Sequence, residues 1–243
     1  MTSMRTRKLI AMLAVVAAAV ILWAPSASAN KLPTPKASHF GRHSNMVTNT
    51  WFPLARGSVW VYQGQQDRKQ SRDVMKVTRK TKTITGIRVA VVADRLFLDG
   101  RLAERTADFY AQDKRGTVWY LGENTAELNA KGKVTNREGS FLNGHDGAKG
   151  GIFMPANPAV GQSFQQEFLK GQAEDRFRIL DLATSVTTPA VSSQNAMLTE
   201  EKTPLEPKIV DHKYYVQGIG TVKEQQVAGS PPEAAQLVSF KAG

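Results

Sequence analysis

The two halves of the chain repeat one spacing of glycines and aromatic residues, which limits the folds open to it. Gly57 precedes Tyr110 by 53 positions, and Gly161 precedes Tyr215 by 54. The string Phe-Tyr-Ala-Gln around the first tyrosine corresponds to Tyr-Tyr-Val-Gln around the second, and Gly-Thr-Val follows each of them. Self-similarity of this kind indicates a structural unit used twice. The sequence therefore predicts two related units of similar length.

Short runs of β-branched and aromatic residues fill the space between these anchors, and glycine or proline separates them. Asp99 and Gly100 lie between two such runs, and both tolerate the positive φ of a type I′ turn, which predicts a tight hairpin. No segment beyond the N-terminal apolar run has a sustained 3.6-residue period with caps. We therefore expect an all-β fold with little other helix. Two related antiparallel meanders, each with one face to cover, would form a curved sheet or an open β-barrel.

The N-terminal region has the three parts of a secretory signal peptide. Basic residues precede an apolar run from Leu9 to Leu22, and a small-residue string ends at Ala29. The apolar run is shorter than the ~20 residues of a spanning helix, so no transmembrane segment is predicted. We expect a signal peptide over residues 1–29, cleaved after Ala29, and a secreted or cell-envelope-associated protein.

Local composition divides the rest of the chain into four parts. Residues 30–48 are rich in Lys, Pro, Ser and Asn without an apolar period, and they predict a disordered leader. A Gly- and Pro-rich stretch at 138–158 is typical of a long connector. The first β meander is therefore expected over 49–137, and the second over 159–243.

Cysteine content and charge exclude several classes of function. The chain has no cysteine, which excludes disulfides, thiol catalysis and thiolate metal sites. Its net charge is +11, and about +8 without the basic residues of the signal peptide. Such a surplus favours attraction to an anionic wall polymer or lipid head groups. The basic residues are spread along the chain instead of forming a recognition helix, so no nucleic acid partner is expected.

Several long motifs resemble those of a known group of proteins. "WFPLARGSVWVY", "FYAQDKRGTVWYLGE" and "HKYYVQGIGTVKE" are similar to segments of an uncharacterised family of exported bacterial proteins, which carry domains of unknown function and a KYYxxGxGxVKE tail motif. The resemblance covers roughly residues 49–227. Gln217 stands where the family pattern has proline, and Thr221 where it has an apolar residue. The resemblance implies an exported β-rich domain of unknown activity.

Aromatic pairs and one histidine are candidates for ligand contacts. On a strand, alternation sends one ring of a pair inward and the other outward, so Trp119, Tyr120 and Tyr215 are candidate platforms for a sugar or an acyl chain, or else packing residues. His212 stands before the second tyrosine pair, and the first half has no equivalent of it. His39 and His43 lie in the predicted leader, where no helix would bring them together, so no metal site is expected.

Glutamates in the second half supply the remaining candidates. Glu167, Glu201 and Glu206 could act as acid and base on a glycan if their separation matched the ~5 to 9.5 Å of glycosidases, although cross-strand salt bridges are the simpler interpretation. No serine-hydrolase elbow, phosphate loop or dinucleotide fingerprint occurs, so no cofactor is expected.

These observations leave two principal hypotheses of function. The first is a non-enzymatic binding or envelope-associated protein, with a small apolar ligand on its concave face or an anionic wall polymer on its basic surface. The alternative is a carboxylate-dependent hydrolase of cell-wall glycan. A structural or partner-binding role is the third possibility, and no catalytic residue is assigned.

Overall fold

The computed structural model describes residues 33–243, so the predicted signal peptide lies outside the described residues. Fifteen β-strands follow a single 3-10 turn at Ala37–His39. The strands are β1 (Val59–Gln66), β2 (Lys69–Ile84), β3 (Ile87–Leu98), β4 (Arg101–Gln112), β5 (Val118–Leu128), β6 (Val134–Asn136), β7 (Phe141–Leu142), β8 (Lys149–Met154), β9 (Ser163–Gln165), β10 (Glu167–Phe168), β11 (Arg176–Thr187), β12 (Ser192–Lys202), β13 (Val210–Val216), β14 (Gly220–Ala228) and β15 (Ala234–Lys241).

All of these strands belong to one antiparallel sheet. Strands β1 to β5 form one consecutive meander and β11 to β15 another, and the pairing of β1 with β15 joins them edge to edge. The sheet curls into a nearly closed barrel with one seam. The predicted fold class is therefore confirmed. The stretch 138–158, expected to be a connector, also contributes β7 and β8, which both pair with β5.

A short piece of chain bridges the seam by changing partners. Strand β9 pairs with β11, whereas β10, which begins two residues after β9 ends, pairs with β8 on the opposite side. Gly151 in β8 lies so close to this piece that a Cβ atom there would overlap the carbonyl oxygen of Gln165. Only glycine allows such an approach of two backbones.

The repeated glycines of the sequence occupy equivalent turns in the two meanders. The Gly57 N–H donates to the Val77 carbonyl at 2.9 Å, and the Gly161 N–H donates to the Ile179 carbonyl at 2.9 Å. The two glycines have φ values of +94° and +88°, a region that favours glycine. The repeat therefore corresponds to matching turns before β1 and β9.

The segment from residue 33 to residue 48 follows a defined path along the barrel, which differs from the disordered leader expected over 30–48. Phe40 packs edge-on against Trp119, with 6.2 Å between ring centroids, and the Ser44 hydroxyl donates to the Arg88 carbonyl at 2.7 Å. Val47 is buried in the main core. These apolar residues are isolated in sequence and form no period, so their packing leaves no local signal.

The next residues cross one end of the barrel, which we call the plugged end. The Asn49 side chain donates to the carbonyls of Gly116 and Pro155, both at 3.0 Å, and the Gly218 N–H donates to the Thr50 carbonyl at 2.7 Å. These partners belong to the β4–β5 turn, the end of β8 and the β13–β14 turn. One segment thus ties both meanders together at the plugged end.

Candidate functional site

A cavity of about 530 Å³ lies inside the barrel. Strands of both meanders form its wall, and Phe52 lines it from the N-terminal segment. It extends toward the end opposite the plug, where Glu138, Gln172 and Leu205 line it from the loops after β6, β10 and β12. Twelve carboxylic acids line it: Asp73, Asp94, Glu104, Asp108, Glu123, Glu127, Glu138, Glu167, Asp175, Glu201, Glu206 and Glu224. We call it the acidic cavity.

Charge is strongly segregated between this cavity and the rest of the chain. The acidic cavity contains more than half of the 21 acidic residues, yet Lys213 is the only basic residue among the described residues that line it. The whole chain, by contrast, has 32 basic residues. Like charges that share a poorly solvated space repel one another and favour either protonation or a bound cation.

Strand alternation places a row of polar side chains on the inner face of β4. Glu104, Asp108 and Tyr110 occupy positions of the same parity and line the cavity. The intervening Phe109 joins an apolar cluster on the other face, together with Trp119. Residues two apart on a strand share one face, so the orientation of Tyr110 determines that of Asp108.

A β-bulge on β5 adds a further carboxylate to the same wall. Tyr120 and Glu123 both line the cavity although they are three residues apart. The intervening Gly122 has a φ of +151°, and the β4–β5 register shifts opposite it. A bulge inserts one extra residue and reverses the parity of those that follow. The side chain of Glu123 therefore faces inward instead of outward.

Lys213 on β13 provides the positive charge within the acidic cavity. Its Nζ lies 2.7 Å from Glu201 Oε2 and 3.2 Å from Glu224 Oε1. Burial alone lowers the pKa of Lys213, but the two carboxylates outweigh it and raise this pKa well above its usual value. The wall thus holds one primary ammonium between two carboxylates.

A phenol occupies the corresponding wall of the first meander. The Tyr120 hydroxyl lies 2.6 Å from Asp108 Oδ1 and 2.7 Å from Glu123 Oε2. Burial and the charges of these two carboxylates raise the pKa of Tyr120 well above its usual value, so the phenol stays protonated and donates to the pair. One donor thereby serves two neighbouring acids.

Two acids near Lys213 hold protons more tightly than usual. Burial raises the pKa of Glu224 to about 6, against the opposing effect of the Lys213 ammonium. Burial, together with the charge of Glu224, raises the pKa of Asp211 to about 8. Both groups therefore exchange protons near neutral pH, and a cation entering the cavity would compete with the proton of Glu224, which lines it.

Gln66 on β1 is a buried amide without a hydrogen-bond partner among the described residues. Its side chain lines the acidic cavity and is 1% exposed, and within residues 33–243 neither Nε2 nor Oε1 has a hydrogen-bond partner. Leaving a buried polar group unsatisfied costs about 1 to 3 kcal/mol, and such groups in folded proteins call for an explanation. A molecule held in the cavity would supply the partners that the described part of the chain does not.

Four of the residues predicted as ligand contacts, Tyr120, Glu167, Glu201 and Glu206, line the acidic cavity. Tyr215 lies in the core beside them and is 1% exposed, with its hydroxyl 3.4 Å from Glu201 Oε1. The structure thus brings five of the seven predicted residues to the interior of one barrel.

The other two predicted residues lie elsewhere. Trp119 packs in the outer apolar cluster, where its Nε1–H donates to Asp113 Oδ2 at 3.0 Å. His212 is half-buried on β13, paired in register with Glu200 and Gln225, and burial lowers its pKa. Neither side chain lines the acidic cavity.

Sequence reasoning missed the carboxylates of the first meander. Asp73, Asp94, Asp108 and Glu123 lie far apart in the sequence and form no local cluster of acidic residues, so no pattern predicted them. For Asp108, a signal was available in its position two residues before the repeated Tyr110. For Glu123, the bulge at Gly122 reverses the alternation of inward and outward side chains, so alternation counted from Tyr120 does not predict that Glu123 faces inward.

Two further properties concern the described part of the chain. Within residues 33–243, no group of three or more His, Cys, Asp or Glu side chains is arranged to hold a metal ion. In the same residues, no helix has the length and apolar character needed to cross a membrane.

Comparison with known proteins gives similarity only at the level of solved structures. No protein-family model matches the chain, and no curated protein sequence does. A candidate exported protein with a YmcC-like fold from Bacteroides fragilis is 13% identical, with a TM-score of 0.46. A candidate lipoprotein from Parabacteroides distasonis is also 13% identical, with a TM-score of 0.43. Both matches cover 79% of this chain and 99% of the other. The function must therefore be argued from the barrel itself.

Proposed function

We propose that this chain is an exported, non-enzymatic binding protein that holds a small cationic molecule in the acidic cavity. One observation carries the proposal: twelve carboxylic acids and a single lysine line the space. Carboxylates on the wall of a partly enclosed space attract a cation and accept charge-assisted hydrogen bonds from it. The export step depends on the signal peptide predicted over residues 1–29.

The unsatisfied amide of Gln66 supports a bound molecule independently of charge. A cavity of about 530 Å³ is within the range of small-molecule sites, which combine apolar walls with a few polar groups. Tyr62, Tyr110 and Phe153 supply aromatic surface in the same space. This mixture suits an organic cation better than the purely apolar ligand that the sequence suggested.

The expected attraction to anionic wall polymer applies to the outside of the barrel. Because Lys213 is the only basic residue among the described residues that line the cavity, the other residues hold nearly all of the basic charge. Long-range attraction would then keep the protein near an anionic envelope, while the interior selects cations. In this proposal, acidic residues inside the barrel attract the cationic ligand, and basic residues elsewhere attract the anionic envelope.

A glycan hydrolase is the second candidate function, since Glu167, Glu201 and Glu206 all line one cavity. Incubation with cell-wall glycan would then release new reducing ends. The release should disappear in both Glu167→Gln and Glu206→Gln. If the wild-type protein releases none, the hydrolase is rejected.

The binding proposal is tested by thermal melting and native mass spectrometry at fixed ionic strength. The panel contains alkylamines, quaternary ammonium ions, divalent metals, lipids and anionic wall fragments. We expect an organic cation to raise the melting midpoint and remain bound in the gas phase, whereas lipids do not. A panel in which no cation raises the midpoint would contradict the proposal.

Two neighbouring glutamates provide a matched control. Glu201 lines the cavity, while Glu200 does not and forms an ion pair with Lys202 at 2.7 Å. Glu201→Gln should weaken cation binding severalfold, and Glu200→Gln should leave it unchanged. Equal effects of the two variants would place any binding outside the cavity.

A further inference from the structure

The first meander separates its charges between the two faces of strands β2, β3 and β4. All four acidic residues of these strands line the acidic cavity: Asp73, Asp94, Glu104 and Asp108. The same strands contain ten basic residues, and none of the ten lines the cavity. On these three strands, all of which the structure describes, the outer face therefore has basic side chains and no acidic ones.

Two arginines stand directly opposite each other on this outer face. Arg95 on β3 is the strand partner of Arg105 on β4, and both side chains are exposed. The adjacent pair, Leu96 and Glu104, lines the cavity, so strand alternation turns the two arginines outward. Residues directly opposite have Cβ atoms about 4.5 to 5.5 Å apart, and like charges at this spacing destabilise a sheet. An anion between the two guanidinium groups would remove this repulsion.

Two further cations flank the arginine pair. Val74 on β2 is the other strand partner of Arg95, and Arg72 and Lys76 lie two residues from Val74 on either side. Both are exposed and share the outward orientation of Val74, because the intervening Asp73 lines the cavity. Diagonal neighbours of this kind are about 7 to 8 Å apart, within reach of long side chains. Three adjacent strands thus form one basic patch, made of Arg72, Lys76, Arg95 and Arg105.

The second meander pairs opposite charges on its outer face. Arg178 on β11 stands opposite Glu200 on β12, which in turn stands opposite His212 on β13. Glu201, the next residue, lines the cavity, so Glu200 faces outward. Cross-strand pairs of opposite charge stabilise a sheet. The fold itself therefore does not require two arginines to face each other.

We propose that the basic patch is a docking surface for a linear anionic polymer whose repeating charge is a phosphate. This inference deepens the proposed attraction to an anionic envelope and rests on that part of the proposed function. A guanidinium group donates two parallel N–H groups to two phosphate oxygens, so one phosphate can bridge Arg95 and Arg105. Exposed Lys80 and Lys82 continue the basic charge along β2, where they would meet further phosphates of the same polymer.

The side chains around the patch favour a polymer over a lipid membrane. Binding at a membrane surface combines basic charge with apolar side chains that enter the bilayer. Within residues 33–243, every exposed large hydrophobic residue lies outside β2, β3 and β4. A single small anion would make few contacts, whereas a polymer neutralises several cations at once and releases its own counterions.

The test measures binding by calorimetry, with long-chain inorganic polyphosphate as the probe. Orthophosphate and phosphatidylglycerol vesicles are compared at the same ionic strength. We expect polyphosphate to bind about tenfold more tightly than either, with an affinity that falls as salt is added. Vesicles that bind as tightly as polyphosphate would show a membrane surface and overturn the inference, as would equal affinity for orthophosphate.

Two outer arginines provide matched variants. Arg105→Gln should weaken polyphosphate binding about fivefold, because it removes one of the paired phosphate contacts. It should also raise the melting midpoint of the free protein, because the repulsion with Arg95 disappears. Arg178→Gln removes the same charge from an arginine that stands opposite Glu200, and it should keep the affinity within about twofold without raising the midpoint. Equal losses of affinity in the two variants would show a diffuse attraction over the whole surface and overturn the patch.

The patch and the cavity are tested separately. Glu201→Gln, which should weaken cation binding in the cavity, should leave the affinity for polyphosphate unchanged. If an organic cation binds but polyphosphate does not, this inference fails and the cavity proposal stands. If polyphosphate binds at the patch but no organic cation binds, the cavity proposal fails and this inference stands.

Discussion

Lys213 and Glu201 form an ion pair between adjacent strands inside the barrel, with 2.7 Å between Nζ and Oε2. In this pair, the Lys213 ammonium neutralises part of the negative charge of the acidic cavity. Breaking a buried pair from one side leaves the other charge uncompensated, which is far more destabilising than the loss of an exposed pair.

Lys213→Met should therefore lower the stability of the free protein by about 3 to 5 kcal/mol in urea unfolding. The reason is that Glu201 and Glu224 would then face each other without a cation. Lys202→Met removes an ion pair whose lysine side chain is 54% exposed, and it should cost at most about 1 kcal/mol.

A small amine offers a further check on Lys213→Met. Butylamine supplies the missing ammonium and should raise the melting midpoint of this variant more than that of the wild-type protein. Equal losses in the two lysine variants, without such rescue, would show that the Lys213 pair has no special role.

Stability should decrease with rising pH between about pH 4 and pH 8. The pKa values of Glu224 and Asp211, about 6 and about 8, exceed their ordinary values of 4.5 and 3.8, so the folded protein binds these protons more tightly than the unfolded chain. Their contribution is complete below the ordinary values and is lost as the pH rises through 6 and 8. Urea midpoints measured across this range at constant ionic strength test the slope.

Glu224→Gln provides the control for the pH profile, because it removes the lower of the two titrations. The loss between about pH 4.5 and 6 should become smaller in this variant, while the loss toward pH 8 persists in weaker form, because burial still raises the pKa of Asp211 but the charge of Glu224 no longer does. A wild-type protein whose stability increases steadily from pH 5 to pH 8 would contradict the assignment.

Gln66→Leu should separate stability from binding. Removing an unsatisfied buried amide and leaving an apolar side chain should stabilise the free protein by about 1 to 3 kcal/mol. The same change removes an acceptor for the ligand, so the affinity for an organic cation should fall. Chemical denaturation and calorimetry on one preparation measure both effects, and a destabilised variant with unchanged affinity would refute the role of Gln66.

Gly151→Ala tests whether the seam between β8 and β9 depends on close backbone contact. The new methyl group would overlap the Gln165 carbonyl, and such overpacking costs about 1 to 3 kcal/mol. Gly41→Ala is the control, because a Cβ at Gly41 meets no atom within 4 Å. If both variants melt at the same temperature, the seam is looser than the structure indicates.

The turns and the fold class could be predicted because their signals are local. Asp99 has a φ of +49° and Gly100 a φ of +78°, as the type I′ hairpin requires, and both lie in the turn between β3 and β4. Gly57 and Gly161 likewise reveal equivalent turns by their spacing alone. These features depend on the conformational preferences of one or two residues.

The acidic cavity could be predicted only in part, because it depends on contacts between distant residues. Glu201 and Tyr120 were found from their own chemistry, but Asp94 and Glu123 become site residues only through strand register and the bulge at Gly122. The packing of Phe40 on Trp119 was missed for the same reason. Neither register nor a bulge leaves a clear trace in a single sequence.

A crystal structure of the protein grown with 1,4-diaminobutane tests the binding mode most directly. We expect electron density for the ligand inside the acidic cavity, with a nitrogen within about 3.2 Å of a carboxylate oxygen of its wall. A cavity that contains only ordered water, or a diamine bound on the outer face of the barrel, would contradict the proposed site.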